Sequence, residues 1–281
     1  MKNKKIYKIA IVGLGNIGSY LYNFLNKNKK NICAKNSSNF EISYVSARNK
    51  NKKRNIKIKN KQWIKNYKDI VYKKDVDIII ELIGGSDGAA KNLVFAALKN
   101  KKHVITANKA LISKYGDELS KIAENNKVNL EYEAAVCGGV PIIRSIKEGL
   151  IANKINRFNG IFNGTSNYIL SSMDKDKTSF NDTLNRAIKL GYAESNPKSD
   201  LNGEDVASKV KILSCLAFNS FINSNIHIEG IKNIDREDIT NADKLGYKIK
   251  LLGFSEIKKN KLYQRVHPTL VNKNSYIASV D

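Results

Sequence analysis

The sequence predicts an α/β fold, a Rossmann-type doubly wound parallel sheet, followed by a second α+β domain. Over the first 140 residues, short apolar runs alternate with helical patterns, as in βαβ units. A glycine-rich turn directly follows the first apolar run. Beyond Pro141 the pattern changes to helices and one long hairpin. We therefore expect a dinucleotide-binding domain at 1–140 and a substrate-binding, catalytic domain at 141–281.

The elements of the first domain follow from hydrophobic periodicity. The third strand reads as a continuous apolar run, typical of a strand that a parallel sheet buries on both faces. The predicted strands are IYKIAIV (6–12), FEISYVSA (40–47), VDIIIELI (76–83), HVITA (103–107) and VNLEYEA (128–134). The predicted helices are SYLYNFLNK (19–27), GAAKNLVFAALKN (88–100) and ALISKYGDELSKIAENN (110–126).

The second domain is expected to contain one short strand, three helices and a hairpin that turns at KKN. The strand is RFNGIFNG (157–164), the helices are TSNYILSSM (165–173), FNDTLNRAIKLG (180–191) and EDVASKVKILSCLAF (204–218), and the hairpin is 247–271.

Composition narrows the function classes. The net charge of +23 could indicate a nucleic-acid partner, but the lysines are spread along the whole chain, and the densest tracts lack interleaved aromatics. Three distant cysteines without CxxC spacing favour a reduced, cytoplasmic setting over a disulfide framework or a zinc site. The start resembles a signal peptide, but its apolar part is short and broken by glycines, and no run approaches a membrane span. We expect no nucleic-acid and no membrane partner.

The turn GLGNIG has the context that a dinucleotide-binding motif needs, because it follows a strand and opens a helix. The glycines permit a tight turn, and the helix start faces a pyrophosphate. A strand–helix turn without a ligand is the alternative. The cofactor-binding residues predicted here are Gly13, Gly15, Asn16, Ile17 and Gly18.

The end of the second strand bears on which nucleotide is bound. A carboxylate there would hold the ribose hydroxyls and disfavour a 2′-phosphate. Instead Arg48 follows the strand, and Glu41 lies too early for that role. We expect NADP, with NAD as the alternative; solvated loop cations are the competing explanation for Arg48.

Asp205 and Lys209 begin the longest helical pattern of the second domain. Their i,i+4 spacing is that of an ordinary helix salt bridge, and Asp200 could simply cap the helix. However, Lys209 lies on the flank of a narrow apolar stripe, Val206, Val210, Leu213 and Ala217. A lysine beside an apolar face must reach solvent or line a polar cleft with a partner. An ammonium in a cleft can donate a proton to a developing oxyanion.

Two further residues are candidates. Lys109 directly follows HVITA and so stands at a carboxyl end of the sheet, where open α/β folds bind ligands; a surface lysine is the alternative. Cys137 could in principle act as a thiolate nucleophile, but no histidine is near it in sequence, and a small packed residue is the preferred interpretation.

Taken together, the motifs resemble the homoserine dehydrogenase family. The matching segments are VGLGNIG, ELIGG, TANKAL, EAAVCGGVPIIR, NGTSNYIL, GYAES, DLNGEDVASK and RVHPTL, in the family's order over nearly the whole chain. The resemblance implies NAD(P)H-dependent reduction of aspartate 4-semialdehyde to homoserine, on the route to threonine and methionine, and a homodimer.

The resemblance also implies residue roles. Lys209 would exchange the proton at the substrate oxygen, and Lys109 would lie between nicotinamide and substrate. Asp205 would help to set the position of the substrate or of the lysine. Glu194 and Asp200 would hold the amino end of the substrate, and Asn163, Gly164 and Thr165 would line its cleft. Thr106 would contact the cofactor. A monovalent cation, Na⁺ or K⁺, would be held by Glu133, Val136, Gly138 and Val140.

The chain differs from the family pattern in three places. Ser166 stands where a second threonine is common, and Asn196 where an aspartate often precedes the proline. Members of the family usually continue past ASVD through a segment that returns to the nucleotide domain, and longer members add an ACT domain. The resemblance implies that the return segment bears on cofactor affinity and on folding. Threonine feedback through an ACT domain is not expected. A nucleotide-binding protein without catalysis and a basic nucleic-acid binder are the competing hypotheses.

Overall fold

A computed structural model describes residues 4–194, 196–219 and 225–281. The chain divides into two compact units, residues 1–139 and 140–281. None of the described helices has both the length and the apolar character that crossing a lipid bilayer requires.

The first unit is built on a five-stranded parallel sheet of order β2-β1-β3-β4-β5. Its strands are β1 (Ile6–Val12), β2 (Asn39–Ser46), β3 (Ile78–Glu81), β4 (His103–Thr106) and β5 (Leu130–Glu131). Its helices are α1 (Asn16–Ala34), α2 (Ala89–Lys99) and α3 (Lys109–Asn125), with short 3₁₀ turns at Asn60–Gln62, Tyr67–Tyr72 and Glu133–Ala135. The predicted doubly wound fold is therefore confirmed.

The strand order reverses beside β1, because β2 pairs with one of its edges and β3 with the other. Buried residues such as Ile9 and Ile11 fill β1, as expected for a central strand. In open α/β sheets the crevice at such a reversal, at the carboxyl ends of the strands, is the usual ligand site. The reversal thus draws attention to the residues that follow β1, β3 and β4.

The second unit packs helices on a four-stranded sheet of order β6-β8-β9-β7. Its helices are α4 (Ile142–Arg144), which continues as a π-helical turn (Ser145–Gly149), α5 (Gly164–Asp176), α6 (Phe180–Leu190), α7 (Lys198–Leu201), α8 (Glu204–Phe218) and α9 (Arg236–Lys244). Its strands are β6 (Arg157–Gly160), β7 (His227–Ile228), β8 (Tyr247–Lys258) and β9 (Lys261–Asn272), and a 3₁₀ turn lies at Tyr276–Ser279.

The long hairpin is confirmed, with Lys258 paired to Lys261 across the turn. Lys259 and Asn260 both have positive φ, 47° and 60°, which is the backbone form of a two-residue turn that matches strand twist. The core of the unit lies between this hairpin and helices α5 and α8.

Several elements differ from their prediction. Helix α1 (Asn16–Ala34) extends beyond the predicted 19–27, and β3 (Ile78–Glu81) is shorter than the predicted 76–83. The short elements α4, α7 and β7 were not predicted. Strand β5 covers two residues rather than 128–134, because the chain enters a 3₁₀ turn at Glu133. Strand β6 ends at Gly160, before the predicted 164. Helix α9 was not predicted, although Asp235 and Asp238 form a capping box at its start, a signal readable in sequence.

Candidate active site

The glycine turn of the first unit is shaped by close main-chain contacts. Gly13 has a φ of +102°, and a Cβ there would lie 2.3 Å from the Leu82 carbonyl oxygen. A Cβ on Gly18 would lie 2.0 Å from the Gly13 carbonyl oxygen. Only glycine fits either position. Gly15 differs, since nothing lies within 4 Å of the place where its Cβ would be. Two glycines therefore close the turn, and the third leaves space at its surface.

The start of α1 has the features of an anion site. Gly15 caps the helix without a side-chain hydrogen bond, and the first turn contains no acidic residue. The first N–H groups of a helix lack intrahelical partners and carry partial positive charge. Asn16 and Ile17 are exposed beside them. A helix start of this kind, open and without acidic residues, is where a pyrophosphate commonly binds.

Arg48 lies two residues past β2 and is exposed. The sequence did not single out Arg54, which contacts the glycine turn directly. Its Nε donates to the Leu14 carbonyl at 3.0 Å, and its NH2 nitrogen donates to the Asn49 carbonyl at 2.8 Å. Its guanidinium also lies over the Trp63 ring, 5.7 Å from the centroid. Arg54 thus fastens the basic loop that contains Arg48 to the turn.

The loops after β3 and β4 are joined by buried polar side chains. Thr106 is almost fully buried, and its hydroxyl donates to Glu81 Oε2 at 2.6 Å. Its predicted cofactor contact stays a prediction, and the structure adds this internal role for the hydroxyl. Lys109 is half-buried as the first residue of α3.

In the second unit, Lys209, Asp205 and Asn163 form one hydrogen-bonded cluster. Lys209 Nζ donates to Asp205 Oδ2 at 2.7 Å. Asn163 Nδ2 donates to the same oxygen at 2.8 Å and to Asp200 Oδ1 at 2.9 Å. The side chains of Lys209 and Asp205 are only 14% and 2% exposed. The pair is therefore more than a solvated helix salt bridge, and leaving either charge unpartnered there would be costly.

Contacts with the segment after β6 fix the position of the Lys209 ammonium group. Its Nζ also donates to the Phe162 carbonyl at 2.6 Å, just past β6. Asn163 is held from its other side, because its Oδ1 accepts from Ser166 N at 2.8 Å and so caps α5. Helix α8 can approach the sheet closely because β8 has a glycine below it: a Cβ on Gly253 would lie 2.5 Å from Val210 Cγ2. The buried stripe predicted for α8 is confirmed for Val206, Val210 and Leu213 and also includes Ala207, Ile212 and Ser214.

The other predicted substrate residues surround the start of α5. Thr165 Oγ1 donates to the Tyr192 carbonyl at 2.8 Å, and the Tyr192 ring stacks on Tyr168 with 4.4 Å between centroids. These contacts anchor the segment that leads to Glu194, whose side chain is exposed. Gly164 is exposed at the first position of α5. The structure thus brings Asn163, Asp200, Asp205 and Lys209 into direct contact and places Thr165 and Glu194 on elements fastened to them.

The residues expected at a cation site offer oxygen ligands, which hard cations prefer. Glu133 opens a 3₁₀ turn that ends at the fully buried Val136, and Gly138 has a φ of +52°. The Val140 carbonyl accepts from Ile142 N at 2.8 Å. Among the described residues, no group of three or more His, Cys, Asp or Glu side chains is placed to hold a metal ion.

Comparisons with known proteins agree across the chain. Residues 13–133 match the family model of the homoserine dehydrogenase NAD-binding domain, and residues 141–281 match that of homoserine dehydrogenase. The chain is 41% identical over 278 residues to the homoserine dehydrogenase of Neisseria gonorrhoeae and 39% identical to that of Pseudomonas aeruginosa, with 99% of this chain covered in both. It spans 63% of the length of these curated relatives.

A crystal structure of a homoserine dehydrogenase from Thiobacillus denitrificans is similar to the whole chain. The TM-score is 0.92, the sequence identity is 39%, and the likeness covers 100% of this chain and 65% of that one. The agreement thus extends from the sequence to the arrangement of the elements.

Proposed function

The chain belongs to the homoserine dehydrogenase family, and we propose that it catalyses the reversible NAD(P)-dependent reduction of L-aspartate 4-semialdehyde to L-homoserine, in threonine and methionine biosynthesis. The observation that supports this most directly is the buried cluster of Lys209, Asp205 and Asn163. Carbonyl reduction needs a proton donor at the oxygen while a hydride reaches the carbon. A fixed, largely desolvated ammonium suits that role.

Lys209 is the proposed proton donor in reduction and proton acceptor in the reverse direction. An ammonium has three N–H donors, and two are used by Asp205 Oδ2 and the Phe162 carbonyl. The third can be directed at the substrate oxygen, where negative charge develops in the transition state. Because the lysine is fixed before substrate arrives, little reorganisation is needed at the moment of reaction.

Asp205 is the proposed holder of the lysine. Its Oδ2 receives hydrogen bonds from both Lys209 and Asn163, so neither donor can rotate away without breaking a buried contact. Asp200 shares the Asn163 amide and is half-buried. With the exposed Glu194 it is proposed to bind the amino group of the substrate, since a carboxylate pair suits an ammonium ion.

Asn163, Gly164 and Thr165 are proposed to line the substrate cleft. All three lie at the start of α5, where helix N–H groups can donate hydrogen bonds to an anionic ligand. The carboxylate of the substrate would be favoured there. The amino group and the carboxylate of the bound substrate would then be held by different elements of the fold.

The nicotinamide cofactor supplies the hydride. Gly13, Gly15, Asn16, Ile17 and Gly18 are proposed to hold its pyrophosphate, and Thr106 and Lys109 to lie along it. We propose a preference for NADP, because the loop past β2 presents Arg48 rather than a carboxylate and is fastened to the turn by Arg54.

A monovalent cation bound by Glu133, Val136, Gly138 and Val140, and a homodimer, complete the proposal. Both come from the family resemblance. Measuring activity with and without Na⁺ or K⁺, and the mass of the protein in solution, would test them.

The decisive experiment follows NADPH oxidation on addition of aspartate semialdehyde. The wild-type protein should oxidise NADPH only when the semialdehyde is present, and Lys209→Met should lower kcat by about 10³-fold while NADPH binding persists. Lys211→Met, on the same helix, is the matched control and should retain turnover. NADPH binding without turnover in the wild type would instead support a nucleotide-binding protein without catalysis.

A further inference from the structure

A buried carboxylate lies where the strand order of the first unit reverses. Glu81 is the last residue of β3 and is paired with Val12 on one side and Thr106 on the other. It is 0% exposed. A carboxylate in such a place needs hydrogen bonds to be stable. It has three, and all of them come from residues that follow β3 or end β4.

Two of these bonds fix the loop after β3. Glu81 Oε1 accepts from Ile83 N at 2.7 Å and from Gly84 N at 3.1 Å. The loop then runs through Gly84 and Gly85 with φ of +85° and +79°, and nothing lies within 4 Å of the place where a Cβ would be on either. The main chain there is therefore shaped by the carboxylate and borders open space.

The third bond joins this loop to the start of α3. Glu81 Oε2 accepts from the Thr106 hydroxyl at 2.6 Å, and Thr106 Oγ1 accepts in turn from Asn108 N at 2.9 Å. The Asn108 side chain donates to the Gly85 carbonyl at 2.7 Å and accepts from Leu111 N at 3.1 Å, which caps α3. The Glu81 carboxylate thus fixes the conformation of the loops after β3 and β4 and of the first turn of α3, which begins with Lys109.

The position of these loops indicates what they contact. A dinucleotide lies across the crevice at the strand reversal, with its pyrophosphate at the helix after β1. The end of β2 lies on one side of that helix start and receives the adenosine ribose. The loops after β3 and β4 lie on the other side of β1, toward which the nicotinamide half extends.

We propose that Glu81 is a positioning residue for the nicotinamide half of the cofactor, acting through the Ile83–Gly85 loop and the first turn of α3. The proposal rests on the proposed function, because it presumes a dinucleotide in the crevice. The pyrophosphate and adenosine half is proposed to lie against the glycine turn, and the three hydrogen bonds of the Glu81 carboxylate go to Ile83, Gly84 and Thr106 rather than to that turn.

Glutamine is the sharpest substitution, because it keeps the size and changes one oxygen to a donor. With its oxygen toward Ile83 N and Gly84 N, its NH₂ would point at Thr106 Oγ1. That oxygen would then accept from both glutamine and Asn108, and the hydroxyl hydrogen would lose its acceptor. The substitution would therefore remove one hydrogen bond from the centre of the network without creating a cavity.

The test compares two ligands by calorimetry on the full chain: NADPH, and 2′-phospho-ADP-ribose, which lacks the nicotinamide. For Glu81→Gln we expect NADPH affinity to fall by about tenfold, the loss of roughly one hydrogen bond, and 2′-phospho-ADP-ribose affinity to stay within about twofold. Equal weakening of both ligands would show a general structural role and overturn the proposal, as would unchanged NADPH affinity.

Thr106 supplies a second, milder variant. Thr106→Val removes the hydroxyl but keeps the shape, so it should weaken NADPH selectively by less than Glu81→Gln, and Thr106→Ser should restore affinity. Thr183→Val is the matched control: Thr183 is also buried, in α6 of the other unit, and its hydroxyl donates to the Ser179 carbonyl at 2.8 Å. It should leave the ratio of the two affinities unchanged; a selective NADPH loss in Thr183→Val would contradict the proposal.

The two proposals fail in different ways. A wild-type protein that binds both ligands but never turns over the semialdehyde would overturn the dehydrogenase activity and leave the role of Glu81 intact. Turnover in a Glu81→Gln variant with wild-type affinities would overturn only the role of Glu81.

Discussion

The two halves of the proposed machinery are built from different materials. In the first unit the glycine turn is a main-chain site, closed by the fit of Gly13 and Gly18 against backbone oxygens. In the second unit the lysine cluster is a side-chain site, in which Lys209 and Asn163 converge on one carboxylate oxygen of Asp205. The first depends on volume, and the second on charge and hydrogen bonding.

The two sites are therefore sensitive to different substitutions. A main-chain site tolerates most neighbouring side chains but no added atom at its closed glycines. A buried side-chain site tolerates little change of charge, because removing one partner leaves the other unsatisfied. An added methyl group should therefore disturb the glycine turn, whereas a change of one charge at constant size should disturb the lysine cluster.

Asp205→Asn should have the largest effect. It keeps the size but deprives the buried ammonium of its negative partner, which costs about 3–5 kcal/mol when a buried pair is broken. We expect kcat to fall by about 10²–10³-fold and the midpoint of thermal unfolding to drop, with NADPH affinity retained.

The matched control for that variant is Glu204→Gln, on the adjacent and exposed residue of the same helical turn. It should behave as wild type in both assays. Wild-type turnover in Asp205→Asn would remove the aspartate from the mechanism.

Gly18→Ala should come next and should act on the other half. A Cβ only 2.0 Å from the Gly13 carbonyl oxygen cannot be accommodated without moving backbone. We expect a loss of about 2–3 kcal/mol in the free energy of unfolding, measured in urea, and much weaker NADPH binding. Gly149→Ala, where a Cβ would meet nothing within 4 Å, should change neither. A Gly18→Ala protein of unchanged stability would mean that the close contact is readily relieved.

Gly15→Ala should separate binding from folding. Gly15 has a φ of −77°, and its surroundings are open, so alanine fits the protein itself. We expect unchanged stability but NADPH affinity lower by about tenfold, because the methyl group would occupy the space that the pyrophosphate needs. Wild-type affinity in calorimetry would place the pyrophosphate elsewhere.

Lys250 is a second buried lysine of the second unit, and its substitution should have the smallest effect of those considered. Lys250 Nζ is held mainly by neutral oxygens, including Ser171 Oγ at 2.8 Å and Asn167 Oδ1 at 3.1 Å. Burial lowers the pKa of Lys250 below its usual 10.5, although Asp281 opposes the shift. Between the lowered pKa and 10.5 the unfolded chain binds more protons than the folded one, so this group makes stability rise with pH.

We therefore expect the stability of the wild type relative to Lys250→Met to increase as the pH rises toward 10.5, measured as urea unfolding at several pH values. Lys211→Met should show no such trend. A difference that is flat or falls with pH would contradict the pKa direction.

Local patterns predicted much of this molecule. The fold class, the glycine turn and the i,i+4 pair of Asp205 and Lys209 all depend on neighbours in sequence, where helix and strand periods apply. The position of Lys209 on the flank of an apolar stripe left two outcomes open, exposure to solvent or a polar cleft with a partner, and the structure shows a largely buried Lys209 paired with Asp205.

Contacts between distant segments could not be predicted in the same way. Asn163 meets Asp205 across 42 residues of chain, and they come together because α5 and α8 both pack on β8. Arg54 lies in a loop without periodicity, so nothing in sequence pointed to the Leu14 carbonyl. Glu81 was missed because it lies within an apolar run, VDIIIELI, where a single polar residue forms no pattern.

Gly253 has one more consequence. Because β8 offers no side chain beneath Val210, α8 rests directly on the strand, and Phe162, whose carbonyl accepts from Lys209, contacts the same glycine position. Helix α8, which carries Lys209, and Phe162, whose carbonyl accepts the hydrogen bond, therefore both pack on Gly253. The distance between Lys209 Nζ and the Phe162 carbonyl oxygen should therefore change little with temperature until the second unit unfolds.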